Sequence, residues 1–285
     1  MNIGSVVFAH NSRKVDYSIM ALISAGLVKK HLHIPVSLIT DNFTINWMKE
    51  SQMWDKAQEI FEHIVLTDLP QTENYRNLND GNLTDNVPFN NSNRCSVWDY
   101  TPYDRTLLID SDFLIFSDRL QPYLQAEADL MISKAMFDMG GDRVGTLDRY
   151  VSDIGPNLFW ATNVIFTKNE KTKIFFQLVN FIKENYGYYA DLYRFYPKPY
   201  RNDISFSIAL HMLNGYFTDY ADSLPPIPTT IDKDILLTVE SNKLLFLINH
   251  GLDNNYLAIS CKNQDIHVMN KQSIIRNKER LLKLI

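Results

Sequence analysis

The sequence predicts an α/β fold with a mostly parallel sheet, and two observations support this class. Short apolar segments rich in β-branched residues lie at 3–9, 35–40 and 64–66. Helical patterns separate them, with an apolar stripe over 19–28 and a second helical segment near 44–58. Strands that alternate with helices in this order are typical of parallel βαβ units.

The later elements follow along the chain. Residues 70–93 are polar and rich in Asn, Asp, Gln and Thr, which predicts a long loop, and loops of that length are often functional. The sequence predicts helices at 94–100, 169–185 and 203–214, strands at 106–109, 113–116, 130–133, 159–167, 244–249 and 256–260, and a break at Pro225–Pro228.

Composition excludes several classes of protein. Of the 285 residues, 45% are hydrophobic and 21% are charged, which excludes a disordered or collagen-like chain. A net charge of −5 argues against a general nucleic-acid-binding function. The two cysteines, Cys95 and Cys261, are too few for a disulfide framework and have no zinc-site spacing. Because neither a signal-peptide pattern nor an apolar run of about 18 residues occurs, we expect a soluble, cytoplasmic protein.

Two carboxylates come directly after a fully apolar strand. Asp110 and Asp112 follow Thr106–Ile109, and where a strand ends and turns, both carboxylates can reach one ion. Mg²⁺ and Mn²⁺ prefer carboxylate oxygens and keep positions open for substrate phosphates. Open α/β sheets bind nucleotides at this carboxyl edge. The pattern therefore indicates a metal and nucleotide site, and the alternative is a solvated acidic turn.

The residues before this pair resemble a segment of the GT-A glycosyltransferases. Arg94 opens a short helix that contains an aromatic residue, and a Tyr-Asp-Arg turn then leads into the apolar strand that ends at Asp110. This order resembles the glycogenin-like and galactosyltransferase-like enzymes of family 8. Further blocks resemble that family in the same order, over about residues 3–275: Phe8-Ala9-His10-Asn11, Asp41, 160–166, 201–206 and 265–271.

The resemblance implies a GT-A fold, in which a Rossmann-like sheet carries the site. It implies one domain over 1–270, with a nucleotide-binding half at 1–120 and a donor-sugar and acceptor half at 121–270, followed by a basic amphipathic tail at 271–285. It also implies a divalent ion, Mn²⁺ or Mg²⁺, held by Asp110, Asp112 and His267. The catalytic residues would be Arg94, Asn202 and Asp203, and the nucleotide sugar would contact Phe8, Ala9, His10, Asn11, Asp41, Arg94, Ser111, Thr162, Asn163 and Lys271.

The implied reaction is transfer of a hexose or pentose from a nucleotide sugar, above all a UDP-sugar, to a hydroxyl group. The resemblance implies retention of the anomeric configuration. A glycan, a lipid, a protein or a modified nucleic-acid base would all fit as the acceptor. Ala161 and Asn163 depart from the Asn-Ser-Gly sequence of the family, and the residues after His267 also depart.

Some interpretations have alternatives. Asp203 could serve as a helix N-cap. The tyrosine-rich segment 186–200 could line an acceptor cleft or pack inside the protein. The tail at 271–285 could make a weak contact with an anionic membrane surface, or it could pack on its own domain.

Two other functions also fit an acidic α/β site. A sugar nucleotidyltransferase is one, although residues 10–14 lack the glycines of a phosphate loop. A non-catalytic protein that binds a sugar or a partner on the same fold is the other.

Overall fold

The structure is a computed structural model that describes residues 1–68, 74–80, 83–141, 143, 147–195, 199–216, 222–250 and 255–285. The strands are β1 (Ile3–Ala9), β2 (Val36–Thr40), β3 (His63–Leu66), β4 (Tyr75–Asp80), β5 (Leu83–Pro88), β6 (Arg105–Ile109), β7 (Phe113–Leu114), β8 (Leu130–Ser133), β9 (Met136–Asp138), β10 (Trp160–Thr167), β11 (Asp222–Leu224), β12 (Ile227–Thr230), β13 (Ile235–Glu240), β14 (Lys243–Asn249), β15 (Tyr256–Lys262) and β16 (Ile266–Val268). The helices are α1 (Tyr17–Leu32), α2 (Asn42–Glu50), α3 (Trp54–Ile60), α4 (Val97–Tyr100), α5 (Gln121–Leu124), α6 (Glu170–Glu184), α7 (Tyr186–Tyr193), α8 (Asn202–Leu213), α9 (Lys271–Arg276) and α10 (Lys278–Leu282), and a 3₁₀ turn over Arg94–Ser96 precedes α4.

The central sheet has seven strands in the order β11-β8-β10-β6-β1-β2-β3. Strand β1 pairs in parallel with β2 and β6, and β2 pairs in parallel with β3. Strand β10 is antiparallel to both β6 and β8. The predicted fold class, a mixed and mostly parallel sheet with the two aspartates at a strand end, is therefore confirmed.

Alternating side chains of β1 and β6 build a core on each face of this sheet. Val7 and Ile109 belong to the core that contains α1. Val6 and Leu108 belong to the core on the opposite face, which contains α6 and α8. Because both faces are covered by helices, the strands are apolar throughout, as the sequence shows.

A second sheet has four strands in the order β7-β16-β12-β9, and it positions His267 beside the central sheet. Strand β16 is antiparallel to β7, with His267 opposite Phe113. The Val268 N–H donates a hydrogen bond of 3.0 Å to the carbonyl oxygen of Asp112. This pairing places a residue from the end of the chain beside the end of β6.

The prediction of a long loop at 70–93 is wrong for much of its described part, because β4 and β5 pair there as a hairpin, whereas residues 70–73 and 81–82 lie outside the described residues. The two strands are antiparallel, with Tyr75 opposite Pro88 and Asp80 opposite Leu83. Most of their side chains are polar, and β5 is exposed over Leu83–Asn86. A hairpin that lies on the surface of the domain has no apolar alternation over most of its length, so its sequence resembles a loop.

Other differences are smaller. The helix predicted near 44–58 is two helices, α2 and α3, and Gln52 between them has a left-handed backbone with φ 59°. Strands β11 and β12 flank the predicted break, which is confined to Pro225 and Pro226. Strands β9, β11, β12, β13 and β16 were not predicted. Within the tyrosine-rich segment 186–200, Tyr186–Tyr193 form α7, and residues 196–198 lie outside the described residues.

The C-terminal tail packs on its own domain. Ile274 and Leu281 are fully buried. The Lys56 Nζ donates to the carbonyl oxygen of Leu282 at 3.1 Å, and the Asn277 side chain donates to that of Leu236 at 2.8 Å. These contacts support the packed alternative for the tail. Among the helices of the described ranges, none has the length and apolarity needed to cross a membrane.

Candidate active site

A cleft with a cavity volume of about 270 Å³ opens at the carboxyl ends of β1 and β6. Its walls come from the central sheet, the β4–β5 hairpin, the start of α8 and the segment after β16. The lining residues are Phe8, Tyr17, Arg76, Asn77, Leu78, Asn79, Val87, Phe89, Asn91, Arg94, Ile109, Asp110, Ser111, Asp112, Trp160, Ala161, Thr162, Arg201, Asn202, Asp203, Asp232, His267, Met269 and Lys271. The cleft thus brings together the predicted metal ligands, the predicted catalytic residues and four predicted donor-binding residues, Phe8, Ser111, Thr162 and Lys271.

Asp110, Asp112 and His267 offer ligand atoms that all lie within 4.8 Å of one another. The chain turns after β6, where the Phe113 N–H donates to the Asp110 carbonyl oxygen at 3.1 Å. The Asp110 N–H in turn donates to the Thr162 carbonyl oxygen at 2.8 Å, which fixes the turn against β10. Two carboxylates and one imidazole form a donor set that fits Mn²⁺ or Mg²⁺.

Thr229 on β12 orients the His267 ring. Its hydroxyl donates to the His267 carbonyl oxygen at 3.2 Å, so its oxygen can accept from Nδ1–H, which lies 3.4 Å away. Nε2 lies 3.3 Å from Asp112 Oδ1, and in the tautomer that carries its proton on Nδ1 it would be free to bind an ion. A polar partner on the far nitrogen is the usual support of a metal-binding histidine.

Asp112 is buried between two basic side chains. Lys271 Nζ lies 2.7 Å from Asp112 Oδ2, on the side opposite His267. Burial by itself would raise the pKa of the Asp112 carboxyl, but Lys271 and His267 outweigh it and hold this pKa far below its usual range. Asp112 is therefore ionised across the physiological pH range, as a metal ligand requires.

Arg94 forms an ion pair with the other carboxylate, that of Asp110. Its Nη1 lies 2.8 Å from Asp110 Oδ1, and its side chain is 3% exposed. Its Nε and Nη2 are buried and find no hydrogen-bond partner among the described residues. Burial raises the pKa of Asp110, while Arg94 counteracts this and Asp112 adds to it. Arg94 thus both orients Asp110 and favours its ionised form.

The start of α8 forms the far wall. Arg201 donates from Nε to Asp203 Oδ1 at 3.0 Å and from Nη2 to Oδ2, and its Nη1 reaches Asp148 Oδ2 at 2.7 Å. Burial would raise the pKa of Asp203, but Arg201 lowers it below its usual value. The N-cap of α8 is Arg201, so Asp203 lies in the first turn instead of at the cap. Asn202 donates to the Asn91 carbonyl oxygen at 3.2 Å, and its buried Oδ1 has no partner among the described residues.

The other predicted donor-binding residues lie around the cleft but do not line it, and each has a local partner. His10 is fully buried and its Nδ1 lies 3.0 Å from Asn91 Oδ1. Asn11 donates to Asp16 and Ser18, and Asp41 caps α2 by accepting from the Thr44 N–H at 2.7 Å. The remaining two, Ala9 and Asn163, accept hydrogen bonds from Thr40 and Ser133 respectively.

Sequence reasoning did not select several residues of the cleft. Arg201 stands two positions before Asp203, and an arginine so close to a predicted catalytic carboxylate was a usable signal. Arg76 and Asp232 lie in segments without a recognisable motif, so the sequence offered no signal for them. Only the fold of the β4–β5 hairpin brings Arg76 to the cleft.

No protein-family model matches the chain, and no curated protein matches it. Among solved structures, the glycosyltransferase GlyE of Streptococcus pneumoniae TIGR4 is similar at 16% identity and a TM-score of 0.45 over 79% of this chain. The chain spans 45% of the length of that protein. The galactosyltransferase LgtC, solved with donor and acceptor sugar analogs, is similar at 15% identity and a TM-score of 0.45, over 73% of this chain and 70% of LgtC. A putative glucose-1-phosphate thymidylyltransferase from Bacillus anthracis is similar at 9% identity and a TM-score of 0.38, over 78% of this chain and 87% of its own.

Proposed function

We propose that the protein is a metal-dependent glycosyltransferase that moves a sugar from a nucleotide donor, a UDP-sugar, to a hydroxyl group with retention. The observation that carries this proposal is the convergence of Asp110, Asp112 and His267 in one cleft at the carboxyl edge of the sheet. His267 is far from the two aspartates in the sequence, and ligands of α/β sheets bind at this edge. The acceptor would be a hydroxyl of a glycan, a lipid, a protein or a modified nucleic-acid base.

The charged side chains have separate roles at the metal end of the cleft, which is the end that contains Asp110, Asp112 and His267. Asp110, Asp112 and His267 would hold the ion, which when bound neutralises negative charge on a diphosphate leaving group. Lys271 forms an ion pair with Asp112, and its ammonium group would also donate a hydrogen bond to a diphosphate oxygen. Arg94 holds Asp110 in position and favours its ionised form.

The other end of the cleft suits the transferred sugar. The unpaired Oδ1 of Asn202 can accept a hydrogen bond from a sugar hydroxyl. Both oxygens of Asp203 are held by Arg201, so we assign Asp203 to electrostatic stabilisation of positive charge at the anomeric carbon. Thr162 and Phe8 complete this wall near the donor.

The direct test is an activity assay with several donors. UDP-glucose, UDP-galactose and UDP-N-acetylglucosamine are incubated with the protein and Mn²⁺, and free UDP is measured. We expect UDP release from at least one donor, and loss of that release in Asp112→Asn. Pyrophosphate release from UTP and a sugar 1-phosphate would instead establish a nucleotidyltransferase. Donor binding without any turnover would favour the non-catalytic alternative.

A further inference from the structure

We propose that Arg76 makes this cleft selective for a substrate that carries a carboxylate or phosphate beyond the diphosphate of the donor. The group would sit on the transferred sugar or on the acceptor. This inference rests on the proposed function, because it assigns the diphosphate to the end of the cleft that contains Asp110 and Asp112.

One side-chain cation of the cleft has no carboxylate partner among the described residues. The lining includes four side-chain cations and four carboxylates: Arg76, Arg94, Arg201, Lys271, Asp110, Asp112, Asp203 and Asp232. Three of these cations pair with a lining carboxylate: Arg94 with Asp110, Arg201 with Asp203, and Lys271 with Asp112. Arg76 forms no ion pair with any described residue, and Asp232 instead accepts a hydrogen bond from Asn79.

The surroundings of Arg76 hold its guanidinium in place without neutralising it. Its Nη2 donates to the carbonyl oxygen of Tyr200 at 3.0 Å, and its Cζ lies 3.5 Å from the centre of the Phe89 ring. Its Nε is buried and has no partner among the described residues. A neutral carbonyl and an aromatic face position a cation, but they leave its charge available to a ligand.

Arg76 lies at the end of the cleft that the proposed function assigns to the transferred sugar. Tyr200 directly precedes Arg201, so the bond to its carbonyl oxygen places Arg76 beside the start of α8. Lys271 and Arg94 already supply cations at the metal end. Both oxygens of Asp203 are bonded to Arg201, so Asp203 acts on Arg76 only through its charge and not through a direct ion pair.

The guanidinium chemistry defines the class of ligand. Arginine binds carboxylates and phosphates through parallel N–H donors, and it cannot lose its proton in a protein. A neutral sugar hydroxyl would leave Arg76 without a directly bonded counter-ion in a partly buried cleft. A carboxylate or phosphate would compensate it.

The experiment has a donor arm and an acceptor arm, both with Mn²⁺. The donor arm compares the affinities of UDP, UDP-glucose and UDP-glucuronate by calorimetry. The acceptor arm compares transfer of labelled sugar to glucose, glucuronate and glucose 6-phosphate. We expect a preference of roughly tenfold or more for the anionic ligand in one arm, the size of one charge-assisted hydrogen bond. The arm that shows it identifies the source of the anion.

Two variants decide the origin of that preference. Arg76→Gln should abolish it while UDP affinity stays within about threefold. Arg280→Gln is the matched control, because Arg280 is an exposed arginine on α10 that does not line the cleft, so the variant removes the same charge and should leave the preference intact. No preference in either arm, a preference that survives in Arg76→Gln, or an equal loss of plain UDP binding in that variant would overturn the proposal. If the wild-type protein binds no UDP with Mn²⁺, the proposed function fails and this inference fails with it.

Discussion

Asp112 is the residue on which the metal end of the cleft depends. It is 4% exposed, its two oxygens face His267 and Lys271, and its carbonyl oxygen joins β16 to the turn. Burial alone would favour the neutral carboxyl group at this depth. The two basic partners therefore explain why a charged ligand group can exist there before any ion binds.

His267→Ala tests the third ligand. We expect Mn²⁺ affinity to fall by roughly ten- to a hundredfold or more, since even the supporting partners of metal ligands have effects of that order. His63→Ala is a suitable control, because His63 is an exposed histidine on β3. Calorimetric titration of Mn²⁺ measures both variants. Unchanged Mn²⁺ affinity in His267→Ala would show that this histidine is only part of the core.

The Arg201–Asp203 pair predicts a pH-dependent stability. Burial alone would raise the pKa of Asp203, but Arg201 has a larger and opposite effect. The pKa of Asp203 in the folded protein therefore lies below its pKa in the unfolded chain. Such a pair contributes stability above the unfolded pKa of about 3.9 and loses it as pH falls through the folded value. Arg201→Met should therefore lower the free energy of unfolding by about 3 kcal/mol at neutral pH, and by progressively less as the pH falls from about 4.

Urea unfolding at several pH values measures this difference. Lys14→Met provides a control, because the Lys14–Asp85 pair is exposed and should contribute about 1 kcal/mol or less. A loss in Arg201→Met that is equally large at pH about 3 and at pH about 7 would contradict the assigned pair.

Among the elements of the fold, the β4–β5 hairpin supplies the largest part of the cleft wall that the sequence did not predict. It supplies Arg76, Leu78 and Val87 to the walls. Arg276 of the C-terminal tail and Asn270 just before the tail both bind Asp80 of the hairpin. The tail is thus connected to the cleft through the hairpin.

Arg276→Ala should loosen the hairpin and leave the core intact. An ion pair of this exposure contributes about 0.2–1 kcal/mol, so we expect amide hydrogen exchange in β4 and β5 to accelerate by a few-fold. Exchange in β1 and β6 should not change, because these strands are buried in the central sheet. Hydrogen exchange with mass spectrometry measures both regions. Equal acceleration in β1 would mean that Arg276 stabilises the whole domain instead.

For the whole molecule, the parallel sheet was predictable because its buried strands carry continuous apolar segments. The meeting of Asp112 with His267 depends on the pairing of β7 with β16, which no local pattern encodes, and only the family resemblance indicated it. The hairpin could not be predicted because polar strands on a surface lack apolar alternation. The ion pairs of the cleft, in which Arg76 has no carboxylate partner among the described residues, depend on the fold of the entire chain.

The central claim is that an ion bridges the protein and a nucleoside diphosphate, and calorimetric titration of UDP tests it most directly. We expect UDP to bind the wild-type protein in Mn²⁺, and to bind at least tenfold more weakly after EDTA treatment or in Asp112→Asn. UDP that binds equally well with Mn²⁺ and with EDTA would contradict a metal-bridged site at Asp110, Asp112 and His267.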